Sequence, residues 1–191
     1  MRTEAASSWD EAEAAAHRTG YPVALKTGDP KIQHKTEADG VRLNIRDVMQ
    51  LRSAYDDLSG RLGPAVTVAA MAPPGVEVAL GVVNDATFGP LVVVAGGGVL
   101  VEVLKDRKLA LPPLDEAAAM RLIDGLVIRP ILDGVRGAEP ADVGTLAYAI
   151  SRLSVLAVEL GDRIEALDVN PVIVSPTGCV AVDALILPRE R

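Results

Sequence analysis

One cysteine, Cys179, stands in a chain of 191 residues, which excludes an internal disulfide and any cysteine-based metal cluster. Histidine is nearly as scarce, with His17 and His34 alone. Aromatic residues make up 3% of the chain against a hydrophobic content of 49%, so the core is built from Ala, Val, Leu and Ile. No apolar run reaches the roughly 18 residues needed to cross a bilayer, and the first residues lack the basic-then-apolar pattern of a secretory signal. These absences read as a cytoplasmic protein with no membrane segment. The formal charge of −7 opposes general binding of nucleic acid, whose backbone is held by many Lys and Arg contacts. Any phosphate is therefore held locally. A chain of this length buries a real core, as one domain or two small lobes.

Ser8-Trp9-Asp10-Glu11 reads as a capping box that opens an alanine-rich helix to Thr19, ended by Gly20. A short apolar strand, Tyr21-Pro22-Val23-Ala24-Leu25-Lys26, follows with a lysine at its exit. Residues 27–40 form a long, polar, glycine-bounded loop of the kind that carries function, and 41–45 the next strand. Asp47 caps a helix that reaches Leu62, where Gly63-Pro64 stops it. Apolar runs at 66–72, 76–83, 91–95 and 99–103 are separated by Pro73-Pro74-Gly75, Asn84-Asp85, Gly89-Pro90 and Gly96-Gly97-Gly98. That is the pattern of a meandering antiparallel sheet. Helices at 114–126 and 140–160 flank the segment 129–137, residues 164–182 close the sheet, and 188–191 read as frayed. Helices mixed with antiparallel strands place the chain in the α+β class.

The closing pair of strands carries the sharpest local chemistry. Side chains alternate along a strand, so Asp168 and Asn170 share one face while Val169, Pro171 and Ile173 take the other. With Pro176 and Thr177 as central turn residues, Ser175 lies opposite Gly178 and Asn170 opposite Asp183. A longer turn slips this pairing. Opposed residues sit about 4.5–5.5 Å apart, close enough for two side-chain oxygens to reach one hard cation at roughly 2.1 Å each. A carboxylate with a carboxamide suits Mg²⁺ that substrate phosphates also hold.

Taken in order, GYPVALK, QHKTEADGV, MAPPGVEVALGV, FGP, GGGVLVEVLKD, LDGVRG and DVNP with VDA resemble the ATP-grasp domain of the NDP-forming acyl-CoA synthetases. That family includes the ADP-forming acetate–CoA ligases and succinyl-CoA synthetase, and the resemblance runs from about Gly20 to Ile186. It implies two α+β lobes, here 1–75 and 76–191, gripping ATP or ADP with Mg²⁺ between them. It implies an overall reaction that makes acyl-CoA, ADP and phosphate from an acid, CoA and ATP, or its reverse. The phosphoryl group then travels on histidine to a CoA-binding ligase subunit or domain, the implied partner.

On matching positions, Lys26 is the lysine of the family's VALK strand, His34 the phosphoryl carrier, and Ala69, Ala70 and Met71 the adenine-side strand. Asn170 and Asp183 match the family's metal ligands, and Asp168 either orients their hairpin or is a surface residue. Glu77 is either a pocket carboxylate near the nucleotide or a solvent-facing residue, and Glu102 either a helper of the metal site or a local backbone partner. Arg136 either pairs with a phosphate or ties helices together. The family carries a glutamine and a further polar or proline residue where this chain has Ala69 and Ala70, which leaves adenine contacts to the backbone. It carries paired glycine where Asp39-Gly40 stands here, which sets a negative charge near the phosphate loop. Its domain normally begins with a further helix and strand, so the first lobe is expected to lack an edge strand. The alternative to a catalytic domain is a non-catalytic, regulatory nucleotide-binding module of a multidomain synthetase-like or acyltransferase protein.

Overall fold

The computed structural model describes residues 1–32, 35, 38–97 and 106–189. It divides into two units, Met1–Ala72 and Pro73–Arg191. The first unit runs β1 (Thr3–Ala6), α1 (Trp9–Thr19), β2 (Val23–Thr27), β3 (Val41–Ile45), α2 (Val48–Leu62) and β4 (Val66–Ala70), with antiparallel strands in the order β1-β4-β2-β3. Ser8 caps α1 as expected, its hydroxyl accepting the Glu11 N–H at 3.3 Å while the Glu11 carboxylate accepts the Ser7 N–H at 2.7 Å. Ala12, Ala15 and Ala16 recur at helical spacing and are fully buried, so α1 meets the sheet with small side chains. They share a core with Leu51 and Leu58 of α2 and with Val23, Leu25, Ile45, Val66 and Val68 of the sheet.

The expectation of a missing edge strand does not hold. Thr3 to Ala6 pair with Ala69 to Val66, so β1 flanks β4, and the Glu4 carboxylate fastens it to Arg18 of α1 at 2.5 Å. Polar and small residues conceal this strand in the sequence, because its identity comes from its neighbour rather than from its own pattern.

The second unit runs β5 (Val76–Asp85), β6 (Gly89–Gly96), β7 (Arg107–Ala110), α3 (Glu116–Asp124), α4 (Arg129–Leu132), α5 (Val143–Glu159), β8 (Ile164–Ser175), β9 (Gly178–Ala181) and β10 (Leu185–Pro188). The sheet order is β10-β8-β5-β6-β7, with β9 also paired to β8. Val78, Leu80 and Val82 of β5 and Val92 and Val94 of β6 alternate onto one face, where Ile123 of α3 and Leu146 and Ile150 of α5 cover them. The strand read at 99–103 lies outside the described residues. Of the tail read as frayed at 188–191, Pro188 ends β10, which pairs with β8, the Arg189 N–H donates to the Arg163 carbonyl at 2.9 Å, and 190–191 lie outside the described residues.

A single side chain fastens the turn from α5 into β8. The Asn84 amide donates to the carbonyls of Gly161 at 2.6 Å and Ile164 at 2.7 Å. Each such bond contributes about 0.5–1.5 kcal/mol net, so Asn84→Ala is expected to lower stability by about 1–3 kcal/mol in urea denaturation. A loss below about 0.5 kcal/mol, the ordinary size of a surface change, contradicts the fastening role.

Candidate functional site

β8 and β9 meet across Pro176-Thr177, with Ser175 opposite Gly178, Val174 opposite Cys179 and Val172 opposite Ala181. Further on, β10 continues along β8 in the same register, Leu185 opposite Asp168. Between these segments the Asn170 N–H donates to the Asp183 carbonyl at 3.2 Å, and the Val182 N–H to the Pro171 carbonyl at 2.9 Å. Asn170 and Asp183 are therefore opposed, in the register that a two-residue turn requires. Pro171 has no N–H to give to a ladder, and proline inside a sheet belongs at bulges. The pairing of β5 with β8 shifts between Val78 and Leu80, so that Asn170-Pro171 opposes Ala79 and forms such a bulge. The turn is fixed by Ser175, a buried residue whose hydroxyl accepts the Thr177 N–H at 3.3 Å and donates to the Gly178 carbonyl at 3.1 Å.

Because Val78, Leu80 and Val82 face α3 and α5, the alternate positions of β5 face the other way. On that second face stand Glu77, Asp168 and Asn170, all exposed, and half-buried Asp183. The Asp183 carboxylate accepts the Ala184 N–H at 3.0 Å. Among the described residues no group of three or more His, Cys, Asp or Glu side chains is placed to hold a metal ion. The donor set is thus a carboxylate and a carboxamide, two hard oxygens. Such a pair fits a hard cation such as Mg²⁺, for which phosphates and water would supply further oxygens, and does not fit a closed zinc site.

Glu77 is tied in by its backbone, its carbonyl accepting the Gly97 N–H at 2.7 Å. A Cβ at Gly97 would lie 2.4 Å from the Glu77 carbonyl carbon, so this glycine serves close approach of two chains. Gly98 and Glu102 lie outside the described residues.

In the first unit Lys26 sits inside β2 between Thr67 of β4 and Val41 of β3, and is only 8% exposed. It is a buried lysine rather than a snorkelling one at the surface. Ala70 ends β4 opposite Val23, and its N–H is already donated to the Arg2 carbonyl at 2.9 Å; Met71 follows, half-buried. His34 lies outside the described residues. The flanks of its loop are described: the Thr27 N–H donates to the Gly40 carbonyl at 2.8 Å, and the Gly40 N–H to the Lys35 carbonyl at 2.7 Å.

At this loop's end stands a charged cluster that the sequence does not reveal. Asp39 has a left-handed backbone, φ +49. Its carboxylate accepts from both terminal nitrogens of Arg42, at 2.8 and 2.9 Å, and lies 3.4 Å from Arg61. Asp57 joins both arginines, at 2.5 Å to Arg42 and 2.9 Å to Arg61. The Arg42 hydrogen bonds hold the Asp39 carboxyl below the usual carboxylate range, and the Arg61 bond does the same for Asp57. The negative charge read near the loop is therefore neutralised. Asp57 and Arg61 form a readable i,i+4 pair, but their meeting with Arg42 depends on β3 lying against α2.

Arg136 is exposed and left-handed, φ +53, between Gly134 at +87 and Gly137 at +83. The chain after this loop is anchored where the Asp142 N–H donates to the Ser175 carbonyl at 2.9 Å. That root is at the turn end of the hairpin, about 17 Å of strand from Asn170. The structure joins Asn170 to Asp183 and sets Glu77 on their face, while Arg136 lies on a loop closed by the bond from the Ala141 N–H to the Leu132 carbonyl at 2.8 Å.

Residues 1–187 match the ATP-grasp domain family model. The beta subunit of acetate–CoA ligase [ADP-forming] II from Pyrococcus furiosus is 37% identical over 95% of this chain and 81% of that protein. A solved structure of the dinucleotide-forming acetyl-coenzyme A synthetase 1 of Ca. Korarchaeum cryptofilum, with coenzyme A, Ca-AMPCP and HgCl⁺, is 35% identical and superposes with a TM-score of 0.92 over 98% of this chain and 85% of that one. A second structure of that enzyme holds coenzyme A and Mg-AMPPCP, with a phosphohistidine segment pointing towards the nucleotide binding site. It has 35% identity, a TM-score of 0.86 and coverage of 98% and 84%. Matched along nearly its whole length by family model, relative and fold alike, the chain belongs to the ATP-grasp domains of the ADP-forming acetate–CoA ligase beta-subunit type.

Proposed function

We propose that this chain is the nucleotide-binding and phosphoryl-transfer part of an ADP-forming acyl-CoA synthetase, working with a CoA-binding ligase subunit or domain. The observation that carries the reading is the opposition of Asn170 and Asp183, held by the 3.2 Å backbone bond between them. The Mg-AMPPCP found in the Ca. Korarchaeum cryptofilum enzyme supports the same assignment by kinship. The beta-subunit relative supports the need for a partner chain.

Asn170 and Asp183 would hold Mg²⁺ through their side-chain oxygens, and the ion would supply neutralisation of charge on the nucleotide phosphates. Lys26 adds a point charge for the transferring oxygens, and its burial keeps that charge in place. With the Ala70 N–H already used, Met71 supplies the backbone donor for the adenine edge. Glu77 belongs to the metal face, and Arg136 serves a phosphate group away from the metal. His34 accepts the phosphoryl group: a neutral imidazole nitrogen bonds to the γ-phosphorus, the bond to the bridging oxygen breaks, and ADP leaves. The ligase partner then takes the phosphoryl group onward. Positioning and charge neutralisation supply most of such a rate, so no strong general base is needed.

Incubation with Mg-ATP radiolabelled at the γ-phosphate is expected to give an acid-labile phosphohistidine that His34→Ala abolishes. Label persisting in that variant overturns the role of His34. Nucleotide binding without label in the parent chain favours the regulatory module instead.

Asp183→Asn keeps the volume and removes the charge. Calorimetry with Mg-AMPPCP is expected to show affinity reduced on the order of 10–100-fold, the loss typical even of groups one shell further from a metal. Unchanged affinity contradicts the metal assignment.

A further inference from the structure

We propose that Asp39, Arg42, Asp57 and Arg61 form an ionic clamp that fixes Asp39 and Gly40, which follow His34 in the sequence, for phosphoryl transfer, an inference that rests on the reading of His34 above. The clamp grips main chain as well as side chain. Arg42 and Arg61 each donate to the Asp39 carbonyl, at 2.9 and 3.0 Å, besides meeting its carboxylate. Few residues other than glycine adopt the left-handed backbone of Asp39, and aspartate and asparagine are the ones that tolerate it. A local conformation of this kind is held by its surroundings, and here the surroundings are the two guanidinium groups.

The opposite end of the clamp is rigid. Asp57 stands on α2, whose Leu51 and Leu58 are fully buried in the core of the first unit. The loop end is equally constrained. Gly40 follows Asp39, and a Cβ there would sit 2.8 Å from the Thr27 methyl, 3.0 Å from the Lys35 carbonyl and 3.2 Å from Leu62. Its carbonyl accepts the Thr27 N–H, so the position of Asp39 passes directly to the residue after Lys26.

The charge count separates positioning from anion capture. Among the described residues two arginines are matched by two aspartates, each aspartate meeting both arginines, so these four carry no surplus positive charge for a phosphate. Its members are nonetheless partly exposed, with 73% of the Asp39 side chain accessible, so salt weakens the clamp. Networks and bidentate pairs are the surface ion pairs that matter energetically, and this cluster is both.

Asp39→Asn tests the clamp, because asparagine keeps the backbone tolerance and loses the charge. Hydrogen exchange at the Thr27 and Gly40 amides is expected to quicken about tenfold while the α2 amides stay protected. Single-turnover labelling of His34 is expected to slow on the order of tenfold or more, since a misplacement of about 1 Å can cost on the order of 100-fold. Affinity for Mg-AMPPCP stays within about twofold, and about 0.5 M salt reproduces the slowing in the parent but adds little in the variant. Unchanged exchange at Thr27 and Gly40 overturns the clamp itself. Faster exchange with an unchanged labelling rate, or with nucleotide affinity falling in step, overturns its positioning role. A parent chain that exchanges as expected but never labels overturns the reading of His34, and the link from clamp to transfer with it.

Discussion

A slip of one residue between β8 and its return strand would turn every side chain of that strand to the opposite face, and Asn170 would no longer meet Asp183. Three features of different kinds oppose the slip. Pro171 cannot donate to a ladder and is accommodated in the bulge against Ala79. Ser175 closes the turn with its hydroxyl, so no extra residue enters between the strands. Val174 and Cys179, directly paired, pack with the core beneath α5, and a shifted register would expose them. The opposed carboxamide and carboxylate are thus a consequence of how the sheet is built. Groups placed on strands are held more closely than groups on loops, which suits a site that works by charge placement.

The same division of labour runs through the chemistry proposed for the first unit. Lys26 is fixed within β2, between two paired strands. His34 belongs in sequence to a loop, the natural place for a group that carries a phosphoryl unit from donor to acceptor. The clamp at Asp39 holds the residue before Gly40, and the bond between Thr27 and Gly40 joins it to the strand that holds the lysine.

Much of this could be read from residue order. The capping box at Ser8 and the cap at Asp47 state where two helices begin, and both hydroxyl and carboxylate do accept the expected backbone N–H groups. The pairing of Asn170 with Asp183 follows from counting back from Ser-Pro-Thr-Gly on a two-residue turn, although only the structure decides between that turn and a longer one. Strands β1, β7 and β10 escaped because each spans four residues and none buries a repeating apolar face. The depth of Lys26 and the neutralisation of Asp39 also escaped, since both depend on residues far apart in the chain. The place of Arg136 was not legible either, because nothing in LDGVRG says that the chain after it bonds to Ser175.

The proposal that Asn170 and Asp183 share a metal ion is tested most directly with Mn²⁺ in place of Mg²⁺, bound with a non-hydrolysable ATP analogue and followed by amide NMR. The expected result is that the signals of Asn170, Val182, Asp183 and Ala184 broaden beyond detection only when metal and nucleotide are both present. Signals from Leu146 and Ile150, on the helix that covers the other face, remain. Intact signals at Asn170 and Asp183 with broadening centred elsewhere would contradict the metal site on which the proposed chemistry depends.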